Sequence, residues 1–298
     1  MRRKDVGRDF GLSVRMALAL AVIAAIYLGG EALLILGTAS SLADGDGWGF
    51  LAFLFFAALI PFVAIEHVRR SGSIALRRTR ARVIPVDHER ALQALLERVA
   101  AQASLPQPRL AIVDAVTPNA FAVGTTAGQS VITVTRGLIG ELSEKEIEAV
   151  FAHELAHISN RDTAVMTFAS GPATAGSGLW READRMEKAS YLMFSPAWAP
   201  IYALSILLMW SISRYREYVA DRGSALLTGA PEQLMSALAK IGGETPKGDL
   251  RGGTAVSALC IVSTRPKRRL ELFMDHPPLE KRLNRLAELA REMGRPVR

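Results

Sequence analysis

One five-residue stretch sets the strongest constraint on how this chain can fold: His153-Glu154-Leu155-Ala156-His157. In an α-helix, side chains four residues apart lie on the same face. If this stretch is helical, its two imidazoles can therefore share one Zn²⁺, and Glu154 can act as general base beside them. The pattern thus predicts a helix here, inside a fold that buries one of its faces.

The preceding residues favour that helix. Ser143 is placed to act as N-cap, and Glu146, three residues later, completes a capping box. Asn160 is the expected helix end. Apolar residues recur between these points at helical spacing: Ile147, Val150, Phe151, Leu155 and Ile158. The alternative is an ordinary amphipathic helix carrying two polar residues, but unpaired imidazoles would be costly on such an apolar face.

Charge and cysteine content narrow the classes of function. Half of the 298 residues are hydrophobic, and the net charge is +7. The basic residues cluster beside apolar runs and are not interleaved with aromatic residues, which favours membrane topology over nucleic-acid binding. Cys260 is the only cysteine, so no disulfide can form within the chain. This composition suits a reducing compartment for the soluble part.

Two apolar segments predict an N-terminal transmembrane hairpin over residues 1–66. Residues 16–36 and 48–65 are each long enough to cross a bilayer. The first is interpreted as a retained anchor, because its apolar run is too long for a signal peptide and a second span follows. Basic residues flank the pair but are missing from the connecting loop, so both ends are expected in the cytoplasm.

Residues 67–298 are interpreted as a cytoplasmic catalytic domain, interrupted by hydrophobic segments at about 163–180 and 189–213, and from Arg82 the composition is that of a soluble domain. Several short strands that feed a helix are typical of an α+β catalytic domain. The pattern predicts helices over 88–103, 231–241 and 279–293 besides the motif helix, and strands over 109–114, 120–123 and 130–135.

A second pair of polar residues, Glu217 and Asp221, is also four residues apart. A zinc site with two histidines needs a further ligand, commonly a carboxylate, and an acceptor that orients a ligand imidazole. Glu217 can supply the ligand and Asp221 the acceptor. The alternative is an ordinary helix salt bridge with Arg214 or Arg222.

This assignment constrains the topology of the hydrophobic segments. If Glu217 and His153 bind one ion, they lie on the same side of the membrane. The segments 163–180 and 189–213 must then cross the bilayer twice or not at all. Four spans in total is the first interpretation, and two spans with a re-entrant or surface hairpin is the alternative.

Three histidines remain outside these motifs. His67 and His88 have no partner at ligand spacing, and each is interpreted as a surface or packing residue. His276 precedes two prolines and lies on a rigid turn, where by itself it would be a surface histidine.

Taken together and in order, these motifs resemble the HtpX family of membrane-embedded zinc endopeptidases, which is related to the CAAX prenyl protease. The resemblance runs nearly end to end. It rests on five stretches: 118–124, 134–138, 152–158, 213–221 and 276–282.

The resemblance implies a zincin-like fold of the minigluzincin type, mostly helical with a small mixed sheet, plus transmembrane helices. It implies one Zn²⁺ per chain, bound by His153, His157 and Glu217, with Glu154 as base and Asp221 behind the ligands. It also implies that Asn119, Ala120 and Phe121 lie on an edge strand that pairs with substrate backbone. His276 and Arg282 would face the cleft, where His276 could stabilise the oxyanion.

The implied activity is cleavage of misfolded or damaged membrane proteins in quality control and the stress response. The expected partners are membrane-protein or unfolded substrates and the lipid bilayer, with no nucleic acid. The expected location is the bacterial-type inner membrane, crossed several times, with the active site toward the cytoplasm. The alternatives are a CAAX-type prenyl-peptide protease and a non-catalytic membrane scaffold.

Overall fold

A computed structural model describes residues 47–124, 126–162, 165–166, 198–242 and 277–295, with isolated helical positions between 11 and 32. The described part is mostly helical and contains one small sheet. Its helices are α1 (Gly47–Arg78), α2 (Arg90–Gln102), α3 (Arg136–Glu141), α4 (Glu144–Asn160), α5 (Trp198–Thr228), α6 (Pro231–Gly242) and α7 (Leu279–Glu292). Its strands are β1 (Arg82–Val83), β2 (Arg109–Val113), β3 (Ala120–Val123) and β4 (Val131–Thr135).

The sheet is mixed and has the strand order β1-β2-β4-β3. β2 and β4 are parallel, with Leu110 opposite Ile132. β3 runs antiparallel to β4 and is the last strand on its side of the described sheet, with Phe121 opposite Thr133. Every residue of β3 and β4 is buried, which suits their content of β-branched and apolar side chains.

The sheet separates two layers of apolar side chains, because successive residues of a strand point to opposite faces. One face contributes alternate strand residues to the main core with α2, α4 and α6: Leu110, Ile112, Ala120, Ala122, Ile132 and Val134. The opposite face carries Phe121, Val123 and Val131, which cluster with Ala75 of α1. The last turns of α1 therefore cover the face of the sheet that is turned away from α4.

The two motif helices, α4 and α5, approach each other closely. A Cβ atom built at Gly223 of α5 would lie 2.9 Å from Cβ of Ala156 on α4. The Ser224 hydroxyl, on the next residue, donates to the carbonyl of Ala149, two turns earlier on α4, at 2.7 Å. Small residues and this hydrogen bond bring the two backbones together, which fixes the distance between the two sequence motifs.

The helices and strands predicted between residues 88 and 160, at 231–241 and at 279–293 are confirmed within a few residues at each end. The capping box is also confirmed, since the Ser143 amide donates to Glu146 Oε2 at 2.7 Å. α3 was not predicted. It begins where the Thr135 hydroxyl accepts a hydrogen bond from the Leu138 amide. His88 lies on the surface beside Asp87, as expected.

The predicted membrane segments are only partly described. Residues 16–36 lie outside the described residues, apart from isolated helical positions. Residues 163–180, apart from 165–166, and residues 189–197 also lie outside them. Residues 48–65 belong to α1, where several large apolar side chains are exposed: Trp48, Leu51, Phe55, Phe62 and Ile65. Among the described residues, we find no helix whose length and apolar character would suffice to cross a membrane.

Candidate metal centre

Three predicted ligand residues converge between α4 and α5. His153 and His157 lie one turn apart on α4, and their Nε2 atoms are 3.1 Å apart. The Glu217 carboxylate of α5 faces both imidazoles, with Oε2 3.6 Å from Nε2 of His153 and Oε1 3.7 Å from Nε2 of His157. All three side chains are buried. Together they form a group whose donor atoms could hold one metal ion.

Each imidazole has a carboxylate at its other nitrogen. Nδ1 of His153 lies 3.1 Å from Oδ1 of Asp221, the residue predicted to orient a ligand. Nδ1 of His157 lies 2.6 Å from Oδ2 of Asp162. A carboxylate at Nδ1 fixes the proton there and leaves the Nε2 lone pair for a metal ion. Both histidines therefore present the correct nitrogen toward Glu217.

Asp162 is a residue that the sequence analysis missed. α4 ends at Asn160, and Arg161 adopts a left-handed conformation with φ 59°. This turn brings Asp162 back under the last turn of the helix, where it is almost completely buried. The available signal was an acid five residues after the second histidine, just beyond the predicted helix end.

The surrounding acids favour positive charge at the centre. Burial opposes protonation of His153, but the carboxylates of Asp221 and Glu217 outweigh burial and raise the pKa of that imidazole to about 9. Burial alone would raise the pKa of the Asp221 carboxyl, but the adjacent Arg282 guanidinium and His153 hold that pKa below its usual value. The site thus stabilises cations rather than neutral groups.

Glu154 lies beside the triad and is almost completely buried. Within the described part of the chain, neither of its carboxylate oxygens has a hydrogen-bond partner. Burial raises the pKa of Glu154, although the nearby His157 and His153 oppose that shift. A buried carboxylate with both oxygens unengaged is suited to accept a proton from a bound reactant.

Formal charges and distances both fit a divalent cation. Among the described residues, four buried acids and two buried arginines lie at the centre and give a formal charge of −2 when the imidazoles are neutral: Glu154, Asp162, Glu217, Asp221, Arg216 and Arg282. In a tetrahedral zinc site, ligand atoms at about 2.0–2.1 Å from the ion are about 3.3–3.4 Å apart. The separations of 3.1, 3.6 and 3.7 Å bracket that value.

Arg282 reaches this centre from α7, where it contacts Asp221 and the candidate ligand Glu217. Its guanidinium donates to both oxygens of Asp221, from Nε at 2.8 Å and from Nη2 at 2.6 Å. Nη1 also lies 3.4 Å from Oε2 of Glu217. The side chain is 3% exposed. Contact with substrate across a cleft therefore stays a prediction for this residue.

The three residues expected to meet substrate lie at the start of β3, the outer strand of the described sheet, which contacts α4. Asn119 is buried, and its amide donates to the Thr135 hydroxyl at 2.9 Å. Its side-chain oxygen accepts from the Ala120 amide at 2.9 Å. These bonds shape the strand itself, and pairing of Asn119, Ala120 and Phe121 with substrate stays a prediction. His276 lies outside the described residues.

Two histidines and a glutamate that converge from two packed helices, with a second glutamate beside them, define the site of a metallopeptidase. The family model described as Peptidase family M48 matches residues 87–290. The chain belongs to this peptidase family, which confirms the resemblance read from its motifs.

The family assignment agrees with full-length relatives. The chain is 39% identical over 309 residues to "Protease HtpX homolog" from Moorella thermoacetica, with 98% of both chains covered. It is 33% identical over 309 residues to "Protease HtpX homolog 2" from Methanosarcina acetivorans, covering 96% of this chain and 98% of that one. A solved structure, the crystal structure of S. mikatae Ste24p, is 19% identical with a TM-score of 0.47, over 93% of this chain and 66% of the other.

Proposed function

We propose that this chain is a membrane-bound, zinc-dependent endopeptidase that hydrolyses misfolded or damaged membrane proteins. The observation that supports this proposal best is the buried group of His153, His157 and Glu217 beside a Glu154 carboxylate that accepts no hydrogen bond from any described residue. The full-length likeness to proteases named as HtpX homologues is consistent with peptide bonds as the target.

One Zn²⁺ per chain would be held by His153, His157 and Glu217. When bound, it would polarise the scissile carbonyl and lower the pKa of a water molecule. The residues of the chain do the rest. Asp162 would hold the Nδ1 proton of His157, and the Asp221 carboxylate beside Nδ1 of His153 would favour a proton there, so that both imidazoles present the Nε2 lone pair.

Glu154 acts as general base in this proposal. Its carboxylate takes a proton from the attacking water and delivers that proton to the leaving amine. The raised pKa caused by burial brings Glu154 closer to the range in which it can both accept and release the proton. His276 would donate to the oxyanion that develops on the scissile carbonyl.

Substrate would bind as an extended segment along β3, through backbone pairing at Asn119, Ala120 and Phe121. Pairing of this kind reads few side chains, so broad sequence specificity is expected. The bilayer enters the proposal through the apolar segments 16–36 and 48–65 and the exposed apolar side chains of α1. We assign the protein to the bacterial-type inner membrane as a multi-pass protein, with its active site toward the cytoplasm.

The test is a comparison of the wild-type protein with Glu154→Gln in detergent and in proteoliposomes. The variant keeps every metal ligand, so it is expected to retain zinc while it loses cleavage of an unfolded protein substrate. Cleavage at the wild-type rate by purified Glu154→Gln would show that the base is another group. A marked preference of the wild type for prenylated peptides would favour CAAX-type processing. A wild-type protein that cleaves neither kind of substrate, with or without added zinc, would favour a non-catalytic scaffold.

A further inference from the structure

We propose that the C-terminal helix α7 is part of the metal centre, and that Arg282 is a positioning residue which couples docking of this helix to metal binding. The inference rests on the proposed zinc site but goes beyond it. It assigns Arg282 an action through Asp221 and Glu217 in place of the expected contact with substrate.

The contacts of Arg282 reach both acids of the second motif at once. The planar guanidinium forms a bidentate pair with Asp221 at 2.8 and 2.6 Å, while its remaining nitrogen lies 3.4 Å from the Glu217 carboxylate. Asp221 in turn lies 3.1 Å from Nδ1 of His153. Arg282 therefore orients one acid that holds a ligand imidazole and touches the acid that is itself a ligand.

The buried face of α7 gives this contact its importance. Arg282, Leu286 and Ala290 are buried and spaced four residues apart along one stripe, and the partly buried Leu279, Leu283 and Leu289 also pack against the main core. Arg282 is the charged member of the buried stripe. A buried guanidinium is costly without its acids, and the acids are costly without it. Docking of α7 and the arrangement of Asp221 and Glu217 consequently depend on each other.

Orientation, and not charge, carries this coupling. Among the described residues at the centre, four buried acids and two buried arginines carry a formal charge of −2, and displacement of α7 would leave −3, which by charge alone attracts a cation more strongly. Displacement would also free Asp221 from its bidentate partner and so release the carboxylate beside His153, and we expect this loss of orientation to outweigh the gain in charge. Linkage is reciprocal. If docking of α7 raises the affinity for metal by some factor, metal binding must favour the docked position of α7 by the same factor.

α7 also supplies a matched control residue. Arg285, three residues along the helix, stacks over the Tyr218 ring at 3.8 Å and so contacts α5 without touching the acids. Its removal perturbs the same helix interface and the same type of side chain. A loss that follows Arg282 and not Arg285 is therefore specific to the acid contacts.

The experiment uses the full chain in detergent and measures three quantities with and without Zn²⁺: zinc affinity by chelator competition, amide hydrogen exchange over 279–292, and the visible spectrum of the Co²⁺ form. Arg282→Ala is expected to weaken zinc binding by about 10- to 100-fold, as is typical when an orienting contact is lost. Arg282→Lys keeps the charge but loses the bidentate fork, so an intermediate loss and an altered Co²⁺ spectrum are expected. The zinc affinity of Arg285→Ala is expected to stay within about threefold of the wild-type affinity, well under the tenfold loss that follows removal of an orienting contact.

In the wild type, zinc is expected to slow amide hydrogen exchange over 279–292 by about tenfold or more, because metal binding favours the docked position of α7. This arm needs no variant, so it remains decisive if Arg282→Ala fails to fold. Unchanged exchange in the wild type, or equal zinc affinity in Arg282→Ala and Arg285→Ala, would overturn the inference. If coupling is observed but the wild type cleaves no polypeptide, the peptidase proposal fails while this inference stands.

Discussion

Replacement of Asp162 by alanine is expected to weaken zinc binding, although Asp162 touches no metal. Its carboxylate lies 2.6 Å from Nδ1 of His157, and the Asp162 side chain is 1% exposed. Loss of a carboxylate that orients a metal-binding histidine commonly lowers metal affinity 10- to 100-fold, which corresponds to about 1.4–2.7 kcal/mol. The short, buried contact places Asp162→Ala near the upper end of that range.

The assay is competition for zinc against a chelator of known affinity, with the full chain in detergent. Asp162→Asn retains an acceptor oxygen without the charge, so we expect a smaller loss. Asp114→Ala is the control, because this aspartate is largely exposed and its ion-pair partners are Arg82 and Arg136, which do not belong to the metal centre. A zinc affinity of Asp162→Ala equal to that of Asp114→Ala would refute the reasoning that a carboxylate at Nδ1 prepares His157 for the metal.

Three further predictions concern stability. Glu146→Gln keeps an acceptor for the capping box, which takes Glu or Gln at this position, but it removes the charge that Lys240 and Ser236 contact. It should lower the free energy of unfolding by about 1–3 kcal/mol in chemical denaturation, whereas the exposed Glu144→Gln should change it little. Burial opposes ionisation of Glu146, but the Lys240, Ser236 and Ser143 contacts lower its pKa from 4.5 to about 2. The depressed pKa of Glu146 stabilises the fold fully above about pH 4.5, and this stabilisation is lost as the pH falls toward 2. The free energy of unfolding of Glu146→Gln, measured over the same pH range, should lack this loss. Gly137→Ala would place a Cβ in a steric clash with the Val116 carbonyl oxygen, so thermal unfolding should reveal destabilisation of more than about 2 kcal/mol.

The two ligand motifs were predictable because each is a local pattern. Spacing of four residues puts both members of a pair on one helical face whatever the rest of the chain does. The need for a third ligand then pointed from His153 and His157 to Glu217, and the capping box at Ser143 marked where the motif helix begins.

The contacts that complete the centre were less accessible to sequence reasoning. Asp162 depends on a left-handed turn at Arg161, a residue type that does not favour that conformation. Arg282 meets Asp221 across 61 residues of sequence, and only the packing of α7 on α5 brings them together. Strand order was also hidden, since the sequence pattern fixes alternation along a strand but not which strands are neighbours.

The most direct test of the central claim is metal analysis of the purified full chain by elemental quantification and X-ray absorption. We expect one zinc per chain, with only nitrogen and oxygen ligands at about 2.0–2.1 Å, and a clear fall in zinc content for Glu217→Ala. A wild-type protein without zinc, or full zinc occupancy in Glu217→Ala, would contradict the assignment of His153, His157 and Glu217 as the metal centre.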